Sequence, residues 1–380
     1  MERIAFLAED RINILSAADG KFAAQPLNCT IAEKYRERER EIRLKNEWKQ
    51  SGTGAMFTGT YSDGSLALDI RLPIVGLAQG IDERFVYAIN FEKGGGIYFK
   101  HPNPEELEVP ILVHRSTNFF ELDLNSSNKI AVSCAESYIE RHIALLRTDS
   151  THLQYITEGD CNDCNPKWSL KDQNVLYYDS AGIGYNNAGH FAGFGPRSIY
   201  RLNTATGELH EVLEHPEFDY CYPFEDNDGS LYFIRRPYKQ PRSTMSVIDF
   251  LSAPFKILRA LGGMLDLFTR RHTGESLKSS GINPAKLSQK SQEQIYIDGN
   301  LLEAEKTLKK NAAAGDKNPG YAPQSWELVV RTPNGEEKVV QKSVMSYCVT
   351  PNGIAYSNGK YIILNEYTFK THLATKLISI

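Results

Sequence analysis

The stretch Asp160–Ser180, DCNDCNPKWSLKDQNVLYYDS, decides the fold. It sets two cysteines three positions apart, ahead of Pro166, Trp168 and a run of strand-forming residues. A structural zinc site needs four ligands and ordinarily shows a second close pair of Cys or His. Cys221 and Cys348 stand singly, so Cys161 and Cys164 read as inert thiols, and neither a metal nor a cofactor is expected. What the stretch does have is copies. With Trp168 laid on Phe224, KWSLKDQNVLYY falls on PFEDNDGSLYFI, with Asp172 over Asp228 and Val175 over Leu231. A third copy, SYCVTPNGIAYSNG, runs from Ser346 to Gly359, and weaker ones begin at Gly80 and Phe119. Each is a short strand, a turn built on Asn, Asp or Gly, and a strand rich in β-branched and aromatic residues.

A second hairpin and an outer strand follow most copies, as in RSIYRLNTATGELHEVLE from Arg197 to Glu214. Four short strands recurring every ~40–55 residues mark propeller blades, which cannot bury both faces alone and must stack around an axis. The chain therefore reads as a single all-β domain over residues 1–380, a six-bladed β-propeller with seven as the alternative count. The segments are 2–27, 54–115, 117–158, 159–215, 217–342 and 344–380. Closure is expected where RIAFLAE, near the start, pairs into the same blade as the last strands, YIILNE to LATKLI.

The stretch PKWSLKDQNVLYY resembles the P-x-W-S-x-D-G turn of TolB-like propeller repeats, with Gln173 where that repeat prefers Gly. The likeness covers about 110–240 and 344–380, and it implies a fold, not an activity. SAGIGYNNAGHFAGFGPRSIYRLN, from Ser180, is similar to a loop of bacterial propeller proteins associated with MoxR-type AAA+ ATPases and von Willebrand A proteins. That resemblance implies a protein partner of one of those two kinds.

A net charge of −4 and alternating runs such as RERER (Arg36–Arg40) give no basic patch for nucleic acid. The opening MERIAFLAEDR lacks a signal-peptide core, and six scattered cysteines in a large chain read as reduced thiols, so the cytoplasm is the expected compartment. No apolar run is long enough to span a bilayer.

Two segments break the blade pattern. One, residues 28–52, carries Glu, Arg and Lys at three- and four-residue spacing and reads as a mostly exposed helical insertion. The other, residues 243–323, is a helical insertion within blade five. There, polar or small residues at Asp249, Ser252, Lys256, Arg259, Gly263, Asp266 and Arg270 define a helix with one narrow polar stripe. Its apolar face holds Phe250, Phe255, Leu258, Leu261, Leu265 and Phe268, a docking surface for a partner. A membrane-surface adaptor is the alternative reading of the same helix. Further on, DGNLLEAEKTLKKNAAAG suggests a second helix ending at Gly315.

The Gly-rich loop Ala181–Pro196 has no phosphate-binding Lys and reads as a long hairpin, with Tyr185, His190, Phe191 and Phe194 as partner-binding candidates. Asp160, Asp163, Asp219 and Arg235 are the candidates for the central channel. No Gly-x-Ser-x-Gly elbow, paired helical His or kinase signature is present, so no catalytic residues are assigned. The expected function is a noncatalytic scaffold or adaptor for protein–protein interaction. A metal-dependent lyase or hydrolase in the channel is the competing class, and it would need several His to converge.

Overall fold

The computed structural model describes residues 3–8, 11–18, 21–46, 74–80, 82–91, 94–103, 105–135, 137, 139–186, 189–239, 294–297 and 300–380. Strands β1 (Arg3–Ala8), β2 (Arg11–Ala18) and β3 (Lys21–Pro26) precede helix α1 (Thr30–Asn46). Next come β4 (Ile74–Gln79), β5 (Phe85–Asn90), β6 (Gly95–Lys100) and β7 (Val109–His114), a four-stranded meander. The meander β8 (Asn118–Leu124), β9 (Lys129–Ala135), β10 (Arg141–Arg147) and β11 (Leu153–Tyr155) follows. It is joined to β12 (Cys161–Trp168), β13 (Val175–Tyr185), β14 (Phe191–Phe194), β15 (Ser198–Asn203) and β16 (Leu209–Leu213) in one nine-stranded sheet. The joint is a single parallel pair, Arg141 with Asn162, between β10 and β12.

Strands β17 (Phe218–Glu225) and β18 (Leu231–Pro237) pair onward with β21 (Glu327–Arg331) and β22 (Glu337–Lys342). Between them in sequence stand the hairpin β19 (Gln294–Ile297) and β20 (Asn300–Glu303) and helix α2 (Ala304–Ala313). The last meander is β23 (Ser346–Thr350), β24 (Gly353–Ser357), β25 (Tyr361–Leu364) and β26 (Tyr367–Lys370). Strand β27 (Lys376–Ser379) leaves it to pair with β1, Ile4 opposite Ser379 and Leu7 opposite Lys376. Closure thus uses the LATKLI end of the expected segment, while YIIL stays in its own sheet.

Burial follows from this stacking. Strands β5 and β6 are buried at every position, whereas the outer strand β22 is exposed along almost its whole length. A middle strand flanked by neighbouring sheets on both faces reads as continuously apolar, and an outer one faces water. Apolar clusters join consecutive meanders: Ile97 with Leu122 and Ile130, Ile143 with Trp168 and Leu176, Tyr177 with Phe233. Ile234 and Leu328 then meet Val344 and Ile354, and Ile362 and Leu364 meet Ile4 and Phe6 of the first sheet. Ala5 and Leu7 in turn meet Leu77 and Phe85 of the β4–β7 meander, so the series of interfaces returns to its start, a β-propeller arrangement.

The leading strands approach closely. A Cβ on Gly76 of β4 would lie 2.3 Å from the Phe120 carbonyl oxygen of β8 and 3.3 Å from Leu122 Cγ. Because the obstacle is backbone, Gly76→Ala forces two sheets apart, at about 1–3 kcal/mol. A urea midpoint lowered accordingly is the expected result; an unchanged midpoint would mean that the sheets separate without cost.

The repeat holds, with a shift of register. The inner strands are bulged between Cys164 and Lys167 in β12 and between Cys221 and Phe224 in β17. Each bulge carries a Cys-x-Pro, with Asn165 at φ 51° and Tyr222 at φ 56°. Proline has no amide to give a ladder, so a bulge is where a strand tolerates it. The bulges make Trp168 equivalent to Glu225, not Phe224. The turn closed by Ser169 and Val175 holds residues 170–174, that closed by Asp226 and Ser230 only 227–229, and so Leu176 matches Leu231. The expected alignment is one residue out on each strand, in opposite senses, and a one-residue slip exchanges the two faces of a strand. Gln173 sits at negative φ, needs no Gly, and its carbonyl accepts Asn125 Nδ2 at 3.0 Å from the preceding meander.

Helix α1 is held at its start by a distant carboxylate. Glu108 accepts from the Ile31 amide at 2.8 Å, Thr30 Oγ1 at 2.9 Å and Tyr87 Oη at 2.9 Å, a cap supplied in trans to orphan helix donors. Tyr35 stacks on Phe91 at 4.0 Å, while Ile42 and Leu44 are exposed. Helix α2 ends at Gly315, φ 83°, and buried Asn311 ties it to the Gly320 and Ala322 carbonyls. The NLLE ahead of it, expected to be helical, is strand β20. Phe250, Phe255, Leu258, Leu261, Leu265 and Phe268 lie outside the described residues. Among those described, no helix is long and apolar enough to cross a membrane.

Candidate functional site

The channel candidates occupy four different environments. Asp160 is exposed ahead of β12, its carbonyl accepting the Ile183 amide. Asp219 is buried and accepts from the Arg197 amide at 3.0 Å and from Arg236 Nε at 3.4 Å. Arg235, one residue from Arg236 and so on the opposite face of β18, pairs with Glu327 at 2.8 Å and Glu337 at 3.4 Å. Arg236, only 1% exposed and 5.1 Å over the Trp326 ring, is the arginine that the acids hold inside.

A buried network runs from Asp219 to Asp179. Arg197 Nη1 donates to Asp179 Oδ1 at 2.7 Å and to the Asn162 carbonyl at 3.1 Å, and its Nη2 donates to Asn162 Oδ1. Asp179 Oδ2 also accepts Asn165 Nδ2 at 2.8 Å and the Tyr222 amide at 3.0 Å, so one carboxylate fixes both bulges. Nearer the leading strands, Lys167 Nζ meets Asp123 at 2.6 Å, and Arg141 lies 3.7 Å from Glu121 and 3.5 Å over the Phe120 ring. Burial, then the like charge of Lys167, holds the Lys376 ammonium below its ordinary pKa against Glu121, Asp123 and Asp179. Lys376 itself lies 5.9 Å over the Tyr222 ring.

Asp163 faces the other way, toward the preceding meander. Residues two apart on a strand share a face, so Cys161 and Asp163 point together while Cys164 points away. Across the β10–β12 joint they meet His142. Cys161 Sγ is 3.4 Å from Asp163 Oδ2 and 3.7 Å from His142 Nδ1, and Nδ1 is 3.8 Å from Asp163 Oδ2. Glu140, two residues before His142, places Oε1 3.3 Å from the other ring nitrogen, Nε2. His142 and Asp163 are buried and Cys161 is half-buried. The Asp163 carboxylate and then Glu140 push the His142 imidazole up against the opposing effect of burial. Burial and the same Asp163 push the Cys161 thiol up to about 12. Cys164, bonded to Asn162 Oδ1 at 3.2 Å, is also pushed up to about 12, chiefly by burial. Sequence reading paired Cys161 with Cys164; alternation along the strands places Glu140 with His142 and Cys161 with Asp163, but it does not show that the two pairs meet.

The third feature is an arm. Strand β13 pairs with β15 only as far as Ser180 and with β12 as far as Gly182; from Ile183 to Tyr185 it pairs with β14 alone. The two strands therefore extend past the sheet. Tyr185 is 46% exposed and Phe191 43% exposed, with His190 exposed between them in the turn. Phe194 packs on Phe191 at 5.1 Å, and its carbonyl accepts Tyr238 Oη at 2.6 Å, anchoring the base of the arm.

No family model matches the sequence, and no curated protein matches it. Among solved structures, the chain is similar over its whole length to one in a nidogen/laminin complex, at 9% identity, with a TM-score of 0.49 and 98% of that chain covered. It is likewise similar to TolB from Acinetobacter baumannii, at 10% identity and a TM-score of 0.48, covering 100% of this chain and 66% of that one. A protein from Lactobacillus plantarum aligns over 100% of both chains, at 8% identity and a TM-score of 0.45. TolB, whose repeat the Trp168 turn resembles, is thus among the structures to which this chain is similar.

Proposed function

We propose that the chain is a six-bladed β-propeller acting as a noncatalytic scaffold, and that the β13–β14 arm is where it holds a protein partner. The arm carries this reading. A two-stranded hairpin leaving its sheet is marginal alone in water, and this one presents Tyr185 and Phe191 to solvent. Aromatic side chains are enriched at interfaces and dominate binding energy where a partner desolvates them. The rigid sheets beneath and the Tyr238 anchor fix the arm in one orientation, so little ordering remains for binding to offset.

The partner class implied by the sequence resemblance is an AAA+ ATPase of the MoxR type or a von Willebrand A protein. In the same reading, Phe250, Phe255, Leu258, Leu261, Leu265 and Phe268, which the sequence pattern places on one face, are a second docking element. Six free thiols without a disulfide support a reducing compartment, the cytoplasm.

The test is co-purification from the native cell with wild-type chain and with the Tyr185→Ala/Phe191→Ala variant, quantified by mass spectrometry. One stoichiometric partner should be retained by the wild type and reduced at least roughly tenfold by the variant, whose circular dichroism stays unchanged. Equal retention by both chains would remove the arm from the function.

A further inference from the structure

Three donor atoms of different chemistry meet at the β10–β12 joint, and nothing in the scaffold reading uses them. From His142 Nδ1, Cys161 Sγ and Asp163 Oδ2, we infer that the chain holds a divalent transition-metal ion of the zinc type, with one coordination position left for water or a ligand.

The distances carry this first. Ligands bound at roughly 2.0–2.3 Å at tetrahedral angles stand about 3.3–3.6 Å from one another. The three edges here are 3.4, 3.7 and 3.8 Å, so the set closes on an ion with shifts of a few tenths of an ångström. The donor set, one imidazole, one thiolate and one carboxylate, suits zinc or cobalt and not magnesium or calcium, which take oxygen alone.

The surroundings agree. Glu140 Oε1, 3.3 Å from Nε2, offers an acceptor for a ring proton there, the tautomer in which the Nδ1 lone pair faces Cys161 and Asp163. A carboxylate on the far nitrogen is the usual outer-shell partner of a metal-bound histidine. The backbone fixes the rest: Cys161 and Asp163 share one face of β12, and the Arg141–Asn162 pair sets β10 beside it. Gly182, opposite Cys161 on β13, borders open space, since a Cβ there would meet nothing within 4 Å. That opening leaves room for a fourth ligand.

The competing use of these atoms is a Cys–His nucleophile pair, with Glu140 orienting the imidazole. Asp163 opposes it, because a carboxylate 3.4 Å from the sulfur resists a bare thiolate. An ion instead takes the place of the thiol proton that Cys161 directs at Asp163, and makes one ligand set of the three atoms. Binding there releases the thiol proton to solvent, with no oxidant or reductant involved.

Cobalt(II) is the probe. Full-length chain, stripped with chelator under reductant, is titrated with Co²⁺ and followed by absorption. One equivalent should bind per chain, giving the visible ligand-field bands of a tetrahedral centre and a near-ultraviolet thiolate-to-cobalt band. Zn²⁺ should bleach both. Cys161→Ser should lose the thiolate band, and Cys164→Ser, altered on the opposite face, should keep it. Glu140→Gln should keep the stoichiometry and weaken affinity about 10–100-fold. Thermal melts of each stripped variant establish that it is folded before titration. The inference is overturned if the folded wild type binds no cobalt with a thiolate band, or if that band survives in Cys161→Ser. It is equally overturned if iodoacetamide alkylates Cys161 rapidly at neutral pH and Zn²⁺ gives no protection.

Discussion

A chain ending at Thr375, without Lys376–Ile380, is expected to lose its cooperative unfolding transition. The lost strand β27 is the partner of β1 and stands beside β23 and β4, so three sheets lose a neighbour at once. Leu377, 2% exposed, packs with Ile4, Phe6 and Ile362, and Ile378, 6% exposed, with Ala5 and Leu77. Removing two such side chains costs about 2–5 kcal/mol each, and the abandoned ladder adds ~1 kcal/mol per hydrogen bond. The sum is of the order of the whole stability of a domain, about 5–15 kcal/mol. It would also leave β1, apolar on both faces, as an open edge, which invites aggregation. Urea unfolding followed by far-ultraviolet circular dichroism checks this, with Leu377→Ala as the graded version, lower by ~2–5 kcal/mol. A cooperative transition at an unchanged midpoint in the truncated chain would show that β27 does not close the structure.

The second large effect is expected at Asp179. This carboxylate is fully buried and accepts from the Arg197 guanidinium, the Asn165 amide and the Tyr222 backbone amide. Asp179→Ala removes the carboxylate that the buried guanidinium meets at 2.7 Å and frees two further donors, at about 3–5 kcal/mol. Replacing both charges, Asp179→Leu with Arg197→Met, should recover a large part of that loss, because the cost of desolvating both charges offsets much of their attraction. Urea midpoints of wild type, single and double variants give the comparison. A double variant as unstable as Asp179→Ala would mean that the carboxylate's bonds to the two bulges, and not the charge pair, carry the effect.

The strand–turn–strand units were legible because Asn, Asp, Ser and Gly stand where the chain must reverse, between runs of aromatic and β-branched residues. Asn125 shows the mechanism: its Oδ1 accepts from the Ser127 and Lys129 amides at 3.0 and 2.9 Å, making the turn out of one side chain. Register was not legible. The two copies share the same bulge but differ by two residues in the turn, and an alignment without a gap divides that difference, one residue on each strand, so it looked continuous while both strands were displaced. With a period of two, Arg235 and Arg236 face opposite ways, and the inward one is Arg236. The His142 cluster was hidden for another reason. Its members come from strands of two meanders, and the spacing from His142 to Cys161 reflects the length of β10, β11 and their connection, not any ligand motif.

The parallel pair between Arg141 and Asn162 has a dynamic consequence. Among the described residues, it makes β8 to β16 one continuous sheet, while the other meanders remain separate. Native-state amide exchange reports such continuity, since segments that open together share one opening free energy. The inner and middle strands on either side of this joint, β9, β10, β12 and β13, should therefore share their slowest exchange, while the exposed strands β11, β14 and β16 exchange faster. An ion held by His142, Cys161 and Asp163 would sit on the seam that this pair ties, and should slow exchange there further.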